Sequence, residues 1–150
     1  VTFPAGLTSI SRGAFFFCSA LSSVTLPASL TSIGDQAFRD CSALSSVNLP
    51  CSALSSVTLP ASLTSIGRSA FSDCSALTSV TFPAGLTSIG SQAFYGCFSL
   101  ARVTVPTTAT ISPRGRAFPR ATTVLRLSPA KMRWYNAVDR TLAYKRFAIE

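Results

Sequence analysis

The 150-residue chain contains no histidine, and that absence removes much of enzyme chemistry. The Ser-His-Asp and Cys-His arrangements need an imidazole to take the nucleophile's proton, and His-containing zinc sites need one as a ligand. Acids are scarce too: Asp35, Asp40, Asp73, Asp139 and Glu150 are the full set, against 13 Lys and Arg. A paired-carboxylate site needs two such groups a few ångströms apart in a pocket. Asp40 and Asp73 share a sequence pattern but are separated by an intervening unit, so they read as solvated turn residues. There is no C-x-x-C pair, and no glycine-rich phosphate loop, since Gly34 and Gly67 stand singly. No apolar run approaches the roughly 18 residues of a membrane span, and no basic stretch followed by an apolar block marks a signal peptide. The chain begins at Val1 rather than Met, which is the expectation for a processed product or a fragment. These absences give a non-enzyme with no cofactor and no metal. Charged residues make up 12% and apolar residues 47%, which argues for a buried core and against disorder.

What the chain does have is periodicity. Cut before Val1, Val24, Val57 and Val80, it yields four segments of 23 residues that align without a gap. Four columns recur through them: Leu7, Leu30, Leu63 and Leu86; Ile10, Ile33, Ile66 and Ile89; Phe15, Phe38, Phe71 and Phe94; Cys18, Cys41, Cys74 and Cys97. Self-similarity at a fixed period predicts stacked coils whose shared columns form the core. A fifth unit, Val47 to Ser56, has only ten residues and lacks the Leu, Ile and Phe columns. A sixth, from Val103 to Leu127, keeps Val103, Pro106, Ile111 and Phe118, replaces the Cys by Ala121, and inserts Pro113 and Gly115. It reads as a degenerate terminal repeat, atypical because one face lacks a neighbouring coil.

The phrase V-T-L-P-A-S-L-T-S-I-G-x-x-A-F-x-x-C-x-x-L, complete at residues 24–44 and 57–77, resembles the BspA-like leucine-rich repeat family, also called the Treponema pallidum type. The resemblance covers residues 1–127. It implies a right-handed solenoid or horseshoe, β-rich within the α/β class, and a surface protein with an adhesive role, located at the cell surface or outside the cell. It implies no catalytic residues.

Within one coil, the alternation in "SSVTLP" points Val24 and Leu26 inward and Ser23 and Thr25 outward, and Pro27 closes the strand because it cannot donate to a ladder. Leu30 and Ile33 then reach inward from a second extended segment, Gly34 permits a turn, and "DQAFRDC" supplies one turn of helix or 3₁₀ with Ala37, Phe38 and Cys41 inside. The short unit cannot close a coil. A seven-residue strand spans on the order of 23 Å, whereas Cys51, Ser52 and Ala53 cover at most about 11 Å. The expectation is that one of the twin strands, around 44–50 or 54–60, enters the ladder while the other bulges out.

Three surfaces are candidates for binding. The outward strand positions Ser23, Thr25, Ser46, Asn48, Ser56, Thr58, Ser79 and Thr81 make a small, neutral, hydroxyl-rich face. The predicted turn is more varied: Arg12, Phe16 and Phe17 give way to Arg39 and Asp40, then Arg68 and Asp73, then Tyr95 and Phe98. The third is the basic C-terminal end. Residues 1–101 carry three Arg against three Asp, whereas residues 102–150 carry ten Lys or Arg against two acids, so the whole net charge of +8 lies there. Ser128 as N-cap and Pro129 as first helical residue predict a helix over 128–150. Trp134, Tyr135, Val138, Leu142 and Ile149 fall on one apolar stripe, which would cover the open end of the solenoid. Two functions remain open. One is a structural or interaction module for a protein or glycan ligand. The other is weak binding of a polyanion (nucleic acid, acidic membrane or glycan) through Arg114, Arg116, Arg120, Arg126, Lys131, Arg133, Arg140, Lys145 and Arg146.

The Cys column beside Phe and Ala reads as free buried thiols rather than disulfides, because a ladder of parallel side chains gives a poor disulfide dihedral. Cys51, in the short unit, has no coil to bury it. Native-state labelling with a thiol reagent is expected to modify Cys51 well before Cys41 and Cys74; equal protection of all five thiols would contradict that placement.

Overall fold

The computed structural model describes residues 1–48 and 57–137, apart from the side chains of residues 46–48, 57, 58 and 135–137. Each coil contributes two short strands, and the strands stack into parallel sheets on two sides of a common core. One side is a five-stranded sheet built from four Ser-Ile dipeptides and one Thr-Ile: β1 (Ser9–Ile10), β3 (Ser32–Ile33), β6 (Ser65–Ile66), β8 (Ser88–Ile89) and β10 (Thr110–Ile111), in that order. The opposite side carries the Val-Thr strands, in two groups. β2 (Ser23–Thr25) pairs with β4 (Ser46–Asn48), and Thr2 bridges to Thr25. β5 (Val57–Thr58), β7 (Val80–Thr81), β9 (Arg102–Pro106) and β11 (Thr123–Leu127) form the second group.

The core follows the predicted columns. Leu30, Leu63 and Leu86, Ile33, Ile66 and Ile89, and Phe38, Phe71 and Phe94 are all buried, as are Val24 and Leu26. The phenylalanines stack face to face along the axis: Phe15, Phe38, Phe71, Phe94 and Phe118 follow one another at 5.2 to 5.3 Å, with planes within 9°. That step is close to the roughly 4.8 Å spacing of paired strands, so ring stack and backbone ladders advance together.

The step from Phe38 to Phe71 is 5.2 Å, the same as its neighbours, although 33 rather than 23 residues separate them. Likewise Ser32 pairs with Ser65 and Ile33 with Ile66 directly. The phenylalanine stack and the Ser-Ile sheet therefore pass from the second coil to the third with no added level. The accommodation of the short unit differs from the expected expulsion of one twin strand: both are strands. β4 pairs backward with β2 and β5 pairs forward with β7, while β4 and β5 lie side by side without a ladder between them. The reason is geometric. One side of the solenoid must hold an extra strand at a level where the other side and the core hold none, so the sheet on that side splits. Cys51 and Ser56 lie outside the described residues.

Two local readings are corrected. The segment expected to be helical is instead a pair of tight turns containing two left-handed residues, Gln36 and Asp40 in the second coil and Ser69 and Asp73 in the third. This conformation sets the backbone N–H groups on one edge and the carbonyls on the other, so the turns also join coil to coil: Phe38 N–H donates to Ala70 O at 2.7 Å and Phe71 N–H to Ala93 O at 2.8 Å. Second, Gly34, Gly67 and Gly90 have no positive φ. They are required by proximity, since a Cβ on Gly67 would sit 2.6 Å from the Asp35 nitrogen and the Gly34 carbonyl carbon.

At the C-terminal end, β11 pairs with β9 over five residues, from Thr123↔Arg102 to Leu127↔Pro106. α1 (Pro129–Ala137) follows, with Lys131 N–H donating to the Ser128 Oγ at 3.4 Å as an N-cap. The helix lies against β9 and is anchored by Met132, which is 1% exposed. Trp134, expected on the buried stripe, is 41% exposed. On a helix the two residues lie about 200° apart, so seating Met132 turns Trp134 outward. Val138, Leu142 and Ile149 lie outside the described residues.

Phe38→Ala and Phe71→Ala are each expected to cost about 3 to 5 kcal/mol in chemical denaturation, while Thr25→Ala stays within about 0.5 kcal/mol. Gly67→Ala is expected to destabilise by about 1 to 3 kcal/mol through overpacking. Gly85→Ala, whose Cβ would meet nothing nearer than 3.8 Å, should be tolerated.

Candidate functional site

Much of the polar surface is already committed to joining coils. Thr31, Thr64 and Thr87 each donate from Oγ1 to the backbone carbonyl of the threonine one coil earlier, at 2.9, 3.1 and 2.9 Å. The Ser29 hydroxyl lies between the Ala5 and Leu7 carbonyls, at 2.6 and 2.7 Å, and Ser62 sits in the same way between Ala28 and Leu30. Repetition of hydroxyls at fixed columns is thus a structural signature. The thiols behave likewise: Cys41, Cys74 and Cys97 donate to the carbonyls of Phe15, Phe38 and Phe71, the phenylalanines of the preceding coil, at 3.1 to 3.2 Å. Cys18, Cys41, Cys74 and Cys97 are all free. Loss of solvent pushes the Cys41 thiol up to about 11 and the Cys97 thiol up to about 12, and raises Cys74 as well.

The hydroxyl face on the Val-Thr strands is less of a platform than its sequence suggests. Ser23 is exposed and Thr25 and Ser79 are half-buried, but Thr81 is 7% exposed and its Oγ1 has no hydrogen-bond partner. Thr81 stands in the middle of its sheet between Thr58 and Thr104, which withdraws it from solvent and removes it from the candidate face. Ser46, Asn48 and Thr58 lie on β4 and β5, and the face is divided where those strands fail to pair.

The turn side presents the large exposed groups. Phe16 and Phe17 in the first coil meet edge to face at 5.2 Å, and the Arg39 guanidinium lies 5.9 Å from the centre of the Phe16 ring. Arg39 Nε is also 3.4 Å from Asp40 Oδ2. Three coils further on, Tyr95 and Phe98 are exposed, Phe98 at 80%. Phe17 is 66% exposed and has φ of +64°, the left-handed region, at a position filled in the following coils by Asp40, Asp73 and Gly96. The acids here serve turn structure: Asp35 Oδ1 accepts from Arg68 N–H at 2.8 Å, and Asp73 Oδ2 accepts from the Ser72 hydroxyl at 2.9 Å.

The basic candidates divide. Arg114, Arg116 and Arg120 are exposed on the turn of the last coil, and Lys131 and Arg133 are exposed on α1. Arg126 is spent differently. Its guanidinium donates to Thr107 O at 3.2 Å and Ala109 O at 2.5 Å, the same two turn carbonyls that Ser29 and Ser62 serve in earlier coils. It closes the end of that hydrogen-bond column, a role the linear alignment hides because Arg126 is out of register with the serines. Arg140, Lys145 and Arg146 lie outside the described residues. Among the described residues no group of His, Cys, Asp and Glu is disposed to hold a metal, and no helix is long and apolar enough to cross a membrane.

This architecture is that of a leucine-rich repeat solenoid. The model of the BspA type leucine rich repeat region matches residues 1–53 and 50–125 as six copies, and the chain belongs to that family. Among solved structures it is similar to a leucine-rich repeat protein from Bacteroides ovatus (30% identity, TM-score 0.67) and to a leucine rich cell surface protein from Faecalibacterium prausnitzii (32%, 0.69). Both matches cover 85% of this chain but only 33% and 31% of theirs, so the chain spans about a third of the length of these relatives. The Treponema pallidum leucine rich repeat protein matches 84% of the chain and 72% of its own at 20% identity, with a TM-score of 0.54, which is likeness of fold. No curated protein matches. Leucine-rich repeat proteins of this kind are structural and interaction modules.

The buried thiols predict an alkaline limit. Each holds its proton more tightly folded than unfolded, so its contribution is complete below the ordinary value of 9.0 and is lost as pH rises toward the folded values. The slope is about 1.4 kcal/mol per pH unit for each thiol. Urea unfolding is expected to show a loss of about 4 kcal/mol between about pH 8 and about pH 10, and Cys97→Ala should remove about a third of that slope.

Proposed function

We propose that the chain is a non-catalytic interaction module that grips a protein partner through its turn side, with Phe16, Phe17 and Arg39 at one end and Tyr95 and Phe98 at the other. The observation that carries this reading is Phe17. A residue with a β-carbon in the left-handed region costs on the order of 1 to 2 kcal/mol, and a bulky aromatic is a poor occupant of it. Stability alone favours Asp or Gly there, as in the later coils, and in the free protein the exposed ring is supported by little beyond its edge-to-face contact with Phe16. Contact with a partner accounts for both. Aromatic side chains and arginine are the groups that dominate protein-binding hot spots, whereas the small hydroxyls of the strand face are not. The Faecalibacterium relative is described as a cell surface protein, which supports surface display of this module.

Phe17→Gly tests the reading in two directions at once. It is expected to raise unfolding free energy by about 1 kcal/mol while abolishing binding to whichever targets the native chain selects from an array of immobilised proteins. Phe98→Ala should weaken the same binding without a gain in stability. Recognition confined to a parallel glycan array, or protein binding untouched by both substitutions, would overturn it.

A further inference from the structure

β11 differs from every other edge strand among the described residues. The edge strands β1, β2, β4, β5 and β10 are two or three residues long, which leaves little backbone open for pairing. β11 runs for five, from Thr123 to Leu127, and among the described residues it pairs only with β9. Its register is fixed by Thr123 N–H donating to Ala101 O at 2.9 Å and Thr107 N–H donating to Leu127 O at 2.8 Å. In a parallel ladder, alternate residues turn both their N–H and their C=O to the same neighbour, so Thr123, Leu125 and Leu127 serve β9. Val124 and Arg126 turn theirs to the open side, where no described residue meets them.

The devices that guard an edge against strand addition are missing here. Proline closes the Val-Thr strands at Pro27, Pro60, Pro83 and Pro106, but Leu127 stands in that column, paired with Pro106. The one charged side chain on the strand, Arg126, is folded back onto the Thr107 and Ala109 carbonyls. Val124 and Leu125 are each 37% exposed. They lie on opposite faces, Val124 on that of buried Val103 and Leu125 on that of Arg102 and Thr104. α1 lies over β9 and leaves both uncovered. The charge around the strand has one sign, since residues 102–137 hold seven Lys or Arg and no acid. Such a surface repels a second copy of itself and selects a strand that brings acids. We propose that β11 is a docking edge for an extended acidic segment of a partner protein, which adds to the sheet through the N–H and C=O groups of Val124 and Arg126. The segment alternates apolar and acidic residues, with apolar side chains beside Val124 and acids on the face that carries Arg102. This edge is separate from the aromatic turn side.

Fluorescence polarisation of the full chain with a labelled peptide of alternating valine and glutamate, long enough to span β11, tests this. Saturable binding is expected, at least about tenfold tighter than that of the matching valine-lysine peptide. Amide hydrogen exchange should slow at Val124 and Arg126 when the peptide binds. Val124→Pro removes one outward N–H and spares every bond to β9, so it should abolish peptide binding while the amides shared by β9 and β11 stay protected. Should that variant fail to fold, the native chain and an N-methylated valine-glutamate peptide give the same answer. That peptide keeps its charges and side chains but has no donors, and its binding should be lost. Phe17→Gly should leave peptide binding unchanged, so loss of the aromatic face and loss of this edge are separable. No saturable binding, equal affinity for the glutamate and lysine peptides, or binding that survives Val124→Pro or N-methylation would overturn the proposal. Slowing of the same amides by self-association of the chain alone would overturn it too, and would assign the edge to a second copy.

Discussion

The step between coils, close to 5.2 Å, is the constraint on which the rest of this protein depends. It is set where two sheets and the turn ladder hydrogen-bond at once, and the phenylalanine stack fills the interior at the same interval. Backbones come so near at the corner after Ile33, Ile66 and Ile89 that a Cβ would clash, and glycine follows each of them. Side-chain donors then take up what the ladders leave: threonine and serine hydroxyls on turn carbonyls, and thiols on the carbonyls of the phenylalanines. An individual coil has few of these interactions within itself. Nearly all run to its neighbours, which is the physical reason a repeat of this length cannot stand alone.

The same constraint decides what happens when a unit is too short. A coil without its Leu, Ile and Phe positions has nothing to place in the core, so the core steps across it unchanged. Strand-forming residues on either side of the deletion still have partners, one backward and one forward, and the sheet opens between them. The split gives this solenoid unequal sides, with the extra strand confined to one of them.

The proposed contact surface lies where the local conformation is costly. The hydroxyl face is interrupted, since Thr81 is interior while Ser23 is exposed and Thr25 and Ser79 are half-buried, and the serines and threonines of other columns are engaged in joining coils. The turn side is different: aromatic groups project there, one from a backbone conformation that suits glycine. The last coil is different again, because among the described residues it is followed by β11 and α1. β11, Arg126 and Met132 close the strand side and the core at that end, each by supplying the partner that a further coil would have supplied.

The fold was legible in the chain because every coil repeats the same apolar columns, and burial of those columns depends on the local pattern alone. That pattern places Leu30, Ile33, Phe38 and Cys41 inside, and the Ser-Pro pair at 128 and 129 marks the helix cap. Tertiary structure decided what depends on a neighbour or on the lack of one. Gly34 and Gly67 answer to the backbone of the adjacent coil rather than to a turn, Thr81 is buried by the strands on either side, and Trp134 is turned outward by the seating of Met132. Periodicity specifies one coil's contents; the pairing of coils, the accommodation of the short unit and the chemistry of the open end are set by hydrogen bonds between residues 17 to 36 positions apart, which no local pattern records.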